Sequence, residues 1–323
     1  MYTFEHLRQA ALRARRGNLH AGGAQAFFFH LENEVAQLRE ELSSGAYRPG
    51  AYRYFQIQDP KSRVISVAPF RDRVVHHAVV DVLEPIFERA FIFDSYACRK
   101  GKGTHLAVRR AQIFLKNNDW YLKADVAQFF DSINHDRLLA LVARKVKDRS
   151  LLDLVEKIVR NGGPLGLPIG NLTSQFFANV YLDRLDHFVK QDLGVRYYVR
   201  YMDDFVVLDT DKARLLAVRE RVAVFLADEL LLALKPSATF VNRRANGLPF
   251  LGTRIFPAVV RLKRPALVRA SRRLLAREAA WAEGVTNDEQ MLASAGSYYG
   301  HWEQYNTFRW RVQKSKAHDT TRQ

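Results

Sequence analysis

The stretch VRYMDDFVVL, residues 199–208, joins two short apolar segments through a pair of adjacent carboxylates. Val199 and the run 205–208 are β-branched, aromatic or otherwise apolar, which is typical of buried strands. Asp203 and Asp204 would repel one another and lose hydration on burial unless a cation joined them. Because aspartate tolerates the backbone of a tight turn, the stretch predicts two strands joined at the aspartates, with both carboxylates at an exposed hairpin tip.

A second predicted strand also ends in a carboxylate. YLKADVAQFFDSI, residues 121–133, places Asp125 at the end of an apolar strand predicted over 119–126. Hard oxygen ligands on neighbouring strand ends suit Mg²⁺, and two such ions serve phosphoryl transfer by activating the attacking oxygen and stabilising the leaving oxygen. The spacing is compatible with adjacent strands of one sheet. An ordinary aspartate-containing turn remains the alternative for residues 203–204.

The composition is that of a folded and strongly basic protein. Of 323 residues, 48% are hydrophobic and 12% aromatic, so a large core can form and wholesale disorder is excluded. The 50 lysines and arginines exceed the 34 acidic residues, and the net charge of +16 indicates a polyanionic partner, a merely basic surface being the alternative. A single cysteine, Cys98, excludes a disulfide framework and a cysteine-rich zinc site. With no apolar signal core and no membrane-spanning run, a cytoplasmic localisation is predicted.

Strand and helix patterns alternate without a regular βαβ repeat, which predicts a mixed α/β, or α+β, fold. Residues 1–25 are basic and are expected to form a flexible arm. A hairpin is predicted over 51–58 and 63–67. Helices are predicted over about 31–44, 71–90, 136–160 and 211–233. Residues 248–256 are predicted as one strand, and the chain from Arg261 onward as helical and very basic.

In chain order these segments resemble a reverse transcriptase over roughly residues 50–310. YMDD, residues 201–204, matches the catalytic box of that family, and Asp125 matches its first catalytic aspartate. Residues 59–66 resemble the family's fingers strands, and residues 70–79 resemble its fingers helix. Residues 95–108 resemble its arginine- and glycine-containing segment, and residues 248–256 resemble its primer-gripping strand. Residues 297–306 resemble the start of a group II intron-type thumb. The resemblance implies a right-hand polymerase with fingers, a palm and a short helical thumb.

The resemblance also implies a role for each matching residue. Asp125, Asp203 and Asp204 would be catalytic and hold two Mg²⁺ ions while a primer 3′-hydroxyl attacks a dNTP and releases pyrophosphate. The residues that would contact the incoming nucleotide are Lys61, Arg63, Phe129, Phe130, Ile169, Gly170 and Gln175. Those that would contact primer and template are Tyr201, Met202, Leu251 and Gly252. Phe130 would crowd a 2′-hydroxyl; the alternative is a core phenylalanine, with Phe129 on the opposite face of a strand.

The implied domains follow the same order along the chain. They are an N-terminal basic arm and helix over 1–50, fingers over 51–118 and 138–167, a palm over 119–137 and 168–256, and a helical basic thumb over 257–323. The implied partners are template RNA, cDNA and dNTPs, with no membrane. One departure concerns the lysine that often serves the family as a candidate general acid: Ala238 occupies that place and Lys235 lies three residues earlier, so the role stays unassigned.

The loop GGPLGLPIGNLTSQFF, residues 162–177, leads into a helix for which Asn171, Thr173 or Ser174 is the expected cap. Many reverse transcriptases carry glutamine where Ile169 stands, and here Gln175 follows the serine. This pattern resembles the reverse transcriptases of diversity-generating retroelements. Those enzymes copy a template RNA with errors at adenines and work with an accessory variability protein, a small basic helical-bundle oligomer.

Two alternatives remain open. One is a retron- or group II intron-type reverse transcriptase of ordinary fidelity, against which the pattern of Ile169 and Gln175 argues. The other belongs to a different class, a catalytically idle RNA-binding scaffold on the same fold. The presence of all three aspartates argues against the scaffold.

Overall fold

The computed structural model describes residues 2–16, 22–58 and 62–307. Lys61 and residues 308–323 of the expected thumb lie outside the described residues. The helices, α1 to α12 in chain order, are Phe4–Arg15, Gly22–Phe29, Leu31–Ser44, Phe70–Glu88, Thr104–Lys116, Phe129–Ser132, His135–Lys145, Arg149–Arg160, Leu172–His187, Lys212–Leu230, Arg264–Ala282 and Asp288–Glu303. The strands, β1 to β9, are Arg53–Gln58, Ser62–Val67, Trp120–Asp125, Tyr197–Tyr201, Asp204–Asp209, Phe240–Arg243, Leu248–Phe250, Thr253–Ile255 and Val260–Leu262. Within these described ranges, no helix has the length and apolar character needed to cross a bilayer.

A four-stranded antiparallel sheet forms the centre of the fold. Its strand order is β4-β5-β3-β6, so β3 lies between two partners that come much later in the chain. Side chains alternate between its two faces. Leu122 and Phe205 face the larger core, which α9 and α10 cover, whereas Tyr121 and Val206 face a second core beneath α5 and the small β7–β9 sheet. The predicted mixed α/β fold is confirmed.

The N-terminal segment is helical over residues 4–15 and 22–29, so the expected flexible arm is wrong there. Thr3 caps α1 by accepting a hydrogen bond from a backbone N–H of the first turn. Arg13 forms an ion pair with Asp81 of α4. The residues of α1 that are buried against the fold are Leu7, Ala10, Ala11 and Ala14. This narrow alanine stripe binds the helix to α4, and the many surrounding arginines concealed it in the sequence.

The predicted hairpin forms the antiparallel β1–β2 ribbon. All six residues of β1 are exposed, and β2 becomes buried only at Ser66. Tyr54 and Phe55, on opposite faces of the ribbon, are 62% and 50% exposed. The ribbon therefore extends from the body of the fold and is anchored only at its base, as two-stranded assemblies require for stability.

The region expected to be one strand over 248–256 contains two. Strands β7 and β8 are joined by a tight turn in which Leu251 and Gly252 have φ values of +46° and +78°. Strand β9 then pairs with β8 before α11 begins, so the chain is not helical immediately after residue 260. The buried positions change phase at this turn, from Leu248 and Phe250 before it to Thr253 and Ile255 after it, and the left-handed backbone divides the two strands. The helices predicted over 31–44, 71–90, 136–160 and 211–233 are confirmed, the third as α7 and α8.

Candidate active site

The turn between β4 and β5 brings three aspartates to one end of the central sheet. Asp125, the last residue of β3, lies opposite Asp204, the first residue of β5. The N–H of Val126 donates to the carbonyl oxygen of Asp203 at 3.2 Å and fastens the turn to the end of β3. Met202, which opens the turn, has a left-handed φ of +56°. The structure therefore assembles the aspartate trio, Asp125, Asp203 and Asp204, from distant parts of the chain.

The carboxylates of the turn are half-buried, so the expectation of an exposed hairpin tip is wrong. The turn packs back against β3 and loses hydration there. Burial, with repulsion from Asp125 and Asp203 and despite an opposing lysine, raises the pKa of Asp204 to about 6. Burial followed by repulsion from Asp125 also raises the pKa of Asp203. Like charges held together in a poorly hydrated place favour a bound cation.

Lys123 is a site residue that the sequence reasoning missed. Its Nζ lies 3.0 Å from Oδ1 of Asp204, and its side chain is only 11% exposed. Lys123 precedes Asp125 by two residues, so both side chains project from the same face of β3. A lysine alternating with a carboxylate in an otherwise apolar strand is the signal that could have identified it.

The donors of the aspartate trio fit a hard divalent cation. Carboxylate oxygens are the protein ligands that Mg²⁺ prefers, and the site's mutual repulsion would be relieved by a cation. In the part of the chain that the structure describes, no three His, Cys, Asp or Glu side chains are arranged so that they could hold a metal ion as they stand. The trio is instead an open group of carboxylates. Such a group suits an ion that keeps coordination positions for water and substrate phosphate oxygens.

Phe129 and Phe130 lie on the helical turn α6, so the expected strand geometry is wrong at this point. Gln128 has a left-handed φ of +44°, which turns the chain out of the line of β3. Phe129 is 2% exposed, whereas Phe130 is only partly buried against the larger core. Leu167 N–H donates to the Phe130 carbonyl at 2.7 Å, so the loop before α9 rests on this turn. Phe130 is therefore the more accessible ring of the two.

The loop before α9 also holds the base of the β1–β2 ribbon. The Ile169 carbonyl accepts a hydrogen bond from Ser66 N–H at 2.8 Å. Asn171 precedes α9 but donates its amide to the Ser66 carbonyl at 3.2 Å, so its side chain does not cap the helix as predicted. Gly170 has a φ of +116°, and a Cβ there would lie 2.8 Å from Cγ2 of Ile65. Loop and ribbon thus meet too closely for any other residue at position 170.

Among the residues expected to contact the nucleotide, Arg63 lies within electrostatic range of the aspartate trio, whereas Gln175 and Gly170 line a separate cavity. The positive charge of Arg63 opposes the rise in the pKa of Asp203, so the ribbon brings this arginine within electrostatic range of the trio. Gln175 is exposed, and its Oε1 accepts a weak hydrogen bond from the Cys98 thiol at 3.5 Å. Gln175 and Gly170 line a cavity of about 320 Å³ that the aspartate trio does not line.

The residues expected to contact primer and template lie at two turns, the β4–β5 turn of the trio and the β7–β8 turn. Leu251 and Gly252 form the β7–β8 turn, and the Gly252 carbonyl accepts a hydrogen bond from Lys263 N–H at 3.1 Å. Partial burial, with repulsion from Lys123, lowers the pKa of Lys263, which places this turn on the same side of the sheet as Lys123. The Tyr201 hydroxyl accepts a hydrogen bond from the first residue of α5, at 3.2 Å.

Comparison with known proteins gives a family match over the same region. The family model described as "Reverse transcriptase (RNA-dependent DNA polymerase)" matches residues 57–255, more than half of the chain. The matched range includes the aspartate trio, Arg63 and the loop before α9.

Individual relatives and a solved structure agree with this match. Protein YkfC of Escherichia coli is 27% identical over 270 residues, which cover 69% of this chain and 71% of that protein. The group II intron-encoded protein LtrA of Lactococcus lactis is 28% identical over 172 residues, which cover 50% of this chain and 29% of LtrA. The apo telomerase of Candida tropicalis superposes with a TM-score of 0.52 at 13% identity, covering 69% of this chain and 59% of the telomerase chain. At that identity the likeness shows the fold alone, and it confirms the expected polymerase fold.

Proposed function

The chain belongs to the reverse transcriptase family of RNA-directed DNA polymerases, and we propose that the aspartate trio is its catalytic centre. The observation that carries the proposal is the register of Asp125 opposite Asp204, with Asp203 in the adjoining turn and both turn carboxylates half-buried. We assign two Mg²⁺ ions to the trio. Bound Mg²⁺ would supply neutralising charge for the attacking and leaving oxygens of nucleotidyl transfer.

The residues around the trio receive the following proposed roles. Arg63, with Lys61 beside it in sequence, binds the triphosphate as the β1–β2 ribbon lies over the nucleotide. Phe130, the accessible ring of α6, limits space for a 2′-hydroxyl. Ile169 and Gly170 bound the nucleotide through the loop before α9. The residues proposed to orient primer and template are Tyr201, Met202, Leu251 and Gly252. Gln175, which lines the same cavity as Gly170, is proposed to contact the incoming nucleotide as well.

Primer extension on a heteropolymeric RNA with dNTPs and Mg²⁺ tests the catalytic proposal. Asp203→Ala and Asp204→Ala are expected to abolish cDNA. Asp209→Asn is the matched control, because Asp209 ends the same strand β5 at its other end and pairs with Arg214. Circular dichroism establishes that each variant is folded.

Undiminished synthesis by Asp203→Ala would overturn the proposed centre. If the unmodified chain makes no cDNA, the assay is repeated with the cognate RNA and the accessory protein. Failure there as well would favour the idle RNA-binding scaffold.

We further propose that the enzyme makes adenine-mutagenic cDNA from a retroelement template RNA. The support is the pattern of Ile169 and Gln175 together with the place of Ile169 in the loop that meets the ribbon. An isoleucine side chain can contact the nucleotide sterically but cannot form a hydrogen bond with it. A single apolar contact discriminates only modestly between correct and incorrect nucleotides. A pocket of this kind accounts for lowered fidelity; the preference for adenine follows from the resemblance alone.

Sequencing of the cDNA tests this second proposal. Errors concentrated at template adenines are expected from the unmodified chain. Ile169→Gln is expected to lower the error frequency by about tenfold, the lower end of the discrimination that one contact supplies. Ile169→Leu, which keeps an apolar side chain, is the matched control and is expected to keep the errors. Equal error frequencies in all three proteins would remove Ile169 from the explanation.

A group II intron-type reverse transcriptase of ordinary fidelity, or a retron enzyme, is the second candidate. The similarity to an intron-encoded protein favours the former, although this chain spans less than a third of LtrA. Accurate cDNA from the unmodified chain would select this candidate. A pair of template and variable repeats beside the gene would select the retroelement.

The proposed partners are template RNA, cDNA, dNTPs and an accessory variability protein. Helix α11 supports a nucleic-acid contact because it exposes several arginines, which are Arg264, Arg269, Arg272 and Arg277. If these arginines contact phosphates, replacing any one of them by glutamine reduces the salt dependence of RNA binding by about one unit in the slope of log K against log salt.

A further inference from the structure

One buried arginine joins helix α9 to the turn that carries the aspartates. Arg200, in β4, is 0% exposed. Its Nε and Nη2 donate to the two carboxylate oxygens of Asp186, both at 2.6 Å. Its Nη1 donates to Oδ1 of Asn179 and to the carbonyl oxygen of Met202, both at 3.2 Å. The guanidinium thus connects two side chains of α9 with the backbone of the β4–β5 turn.

The two helix residues that hold Arg200 are themselves fixed. Asp186 accepts a further hydrogen bond from the Tyr198 hydroxyl at 2.8 Å. Asn179 donates its amide to the Ala97 carbonyl at 2.8 Å. Asp186 is 0% exposed and Asn179 is 2% exposed, so water does not compete for these bonds. The acceptors of Arg200 therefore have little freedom to follow the turn if it moves.

The backbone of Arg200 is also held from outside the sheet. Its N–H donates to the Asp94 carbonyl at 2.9 Å, and its carbonyl accepts from Tyr96 N–H at 2.9 Å. Strand β4 is an edge strand of the four-stranded sheet. These two hydrogen bonds pair the backbone groups on its outer edge with the segment that contains Asp94 and Tyr96. Backbone and side chain together make Arg200 a rigid point beside the turn.

We propose that Arg200 is a positioning residue that holds the Met202–Asp203 peptide in its catalytic orientation. Met202 has a φ of +56°, a conformation that residues other than glycine seldom adopt. Its carbonyl and the N–H of Asp203 belong to one planar peptide unit. The bond from Arg200 therefore sets the plane from which the Asp203 side chain departs. The inference rests on the proposed role of Asp203 as a catalytic carboxylate.

Positioning explains an arginine here better than stability does. Replacing a buried ion pair with apolar residues of similar volume is often neutral or stabilising, so stability alone gives no reason to keep this one. The planar guanidinium offers donors in three directions, towards Asp186, Asn179 and Met202. A lysine ammonium is a single point of charge on a flexible stem and cannot maintain the same fork. Lysine would preserve the charge and lose the geometry.

Arg200→Lys tests the inference, with Arg71→Lys as the matched control. Arg71 also joins two elements, since its guanidinium lies 2.7 Å from Glu41 and 3.9 Å from Glu34 of α3. Single-nucleotide addition is measured over a range of dNTP concentrations, on variants shown to be folded by thermal melting. Arg200→Lys is expected to lower kcat by about 100-fold, as misplacement of a reacting group by 1 Å does. KM for dNTP and Kd for primer–template are expected to stay unchanged, and Arg71→Lys is expected to change neither kcat nor KM.

A second variant separates positioning from a structural role. Asparagine enters the left-handed region several-fold more often than most residues, so Met202→Asn should preset the turn. In the Arg200→Lys background, Met202→Asn is expected to raise kcat about tenfold, which recovers part of the 100-fold loss. If Arg200→Lys does not fold, Asp186→Glu displaces the guanidinium by one methylene and keeps the pair, and the same loss confined to kcat is expected.

The outcomes also distinguish the inference from the proposed function. A fully active Asp203→Ala variant overturns the proposed centre. An inactive Asp203→Ala variant beside a normal kcat in Arg200→Lys overturns the inference alone. A kcat that falls only in proportion to the folded fraction, with no rescue by Met202→Asn, assigns Arg200 a purely structural role.

Discussion

The central sheet and the β1–β2 ribbon are both antiparallel, yet strands β3 and β5 of the sheet differ sharply from β1 in burial. The inner four residues of β3 and of β5 are buried, with helices on one face and α5 and the small sheet on the other. Every residue of β1 is exposed. The sheet carries the aspartate trio, and the ribbon carries Arg63. Under the proposed function, the carboxylates that must keep fixed mutual distances lie on the packed sheet, and the arginine that would contact an entering and leaving nucleotide lies on the solvated ribbon.

Replacing one phenylalanine in each assembly tests this contrast with the largest expected effect. Phe205 of β5 is 0% exposed and Phe55 of β1 is 50% exposed. Phe205→Ala is expected to lower the free energy of unfolding by about 3–5 kcal/mol through the cavity that it leaves. Phe55→Ala is expected to change it by less than about 0.5 kcal/mol. Urea denaturation measures both changes in the free energy of unfolding. Similar losses in the two variants would mean that the ribbon is packed in solution and would contradict the contrast in burial.

A substitution at Gly170 sharpens the comparison where the two assemblies meet. Gly170→Ala is expected to destabilise by about 2–3 kcal/mol, because a Cβ at φ +116° adds backbone strain to the contact with Ile65. Gly163→Ala is the matched control, since Gly163 has a φ of +128° and a Cβ added there would meet no atom within 4 Å. The control is expected to show strain alone, about 1 kcal/mol. Urea denaturation gives the two values.

The same pair of variants has a kinetic readout. Gly170→Ala is expected to raise KM for dNTP, because the base of the ribbon is displaced, whereas Gly163→Ala leaves KM unchanged. Ile65→Ala in the Gly170→Ala background removes the contacting Cγ2 and is expected to restore part of both losses. Equal effects of Gly170→Ala and Gly163→Ala would show that the contact with Ile65 is unimportant.

The smallest expected effect concerns the mostly buried carboxyl group of Asp183 on helix α9. Burial, followed by repulsion from Asp186, raises the pKa of Asp183 on α9 to about 6. A group whose pKa is higher in the folded than in the unfolded chain favours folding below about pH 4, and this advantage is lost as the pH rises through about 6. Asp183→Asn is therefore expected to stabilise the protein by about 1–2 kcal/mol at pH 8 and to have little effect at pH 4.

Thermal melting across this pH range checks the expectation for Asp183. Asp228→Asn, at an exposed position of α10, is the control and should change stability by less than about 0.5 kcal/mol at either pH. If the difference in stability between Asp183→Asn and the unmodified chain does not grow with pH, the expectation for Asp183 is contradicted.

The local patterns of the sequence predicted most of the fold. Helix α3 ends at Ser44 and is followed by Gly45, whose φ is +74°, as its apolar spacing and the glycine indicate. The apolar and β-branched residues of β3 and β5 predicted both strands, and the sequence itself places a carboxylate at the end of the first and at the start of the second. The division into fingers, palm and thumb remains a prediction. What local pattern could not supply is which strand lies beside which: the pairing of Asp125 with Asp204 depends on contacts far apart in the chain.

The residues that were missed have partners distant in sequence. Lys123 forms an ion pair with Asp204, and Arg200 is held by Asp186, and local sequence pattern reveals neither pairing. The arm was wrong for a different reason, because the alanines of α1 have small side chains and contribute a weak apolar pattern beside many arginines. The turn at Gly252 was missed because apolar residues stand on both sides of it, although the buried positions change phase there.

The strand order of the central sheet has a consequence for synthesis of the protein. The chain emerges from the ribosome in sequence order, and Trp120 of β3 must wait for its register partner, Asp209 of β5. At usual elongation rates that interval is on the order of ten seconds, during which the apolar strand has neither neighbour. The contacts within the β1–β2 ribbon and the α7–α8 pair are local, whereas the aspartate trio can form only after β5 has emerged. Slower growth and lower temperature, which protect such unpaired strands from aggregation, should therefore increase the yield of active protein more than the yield of total protein.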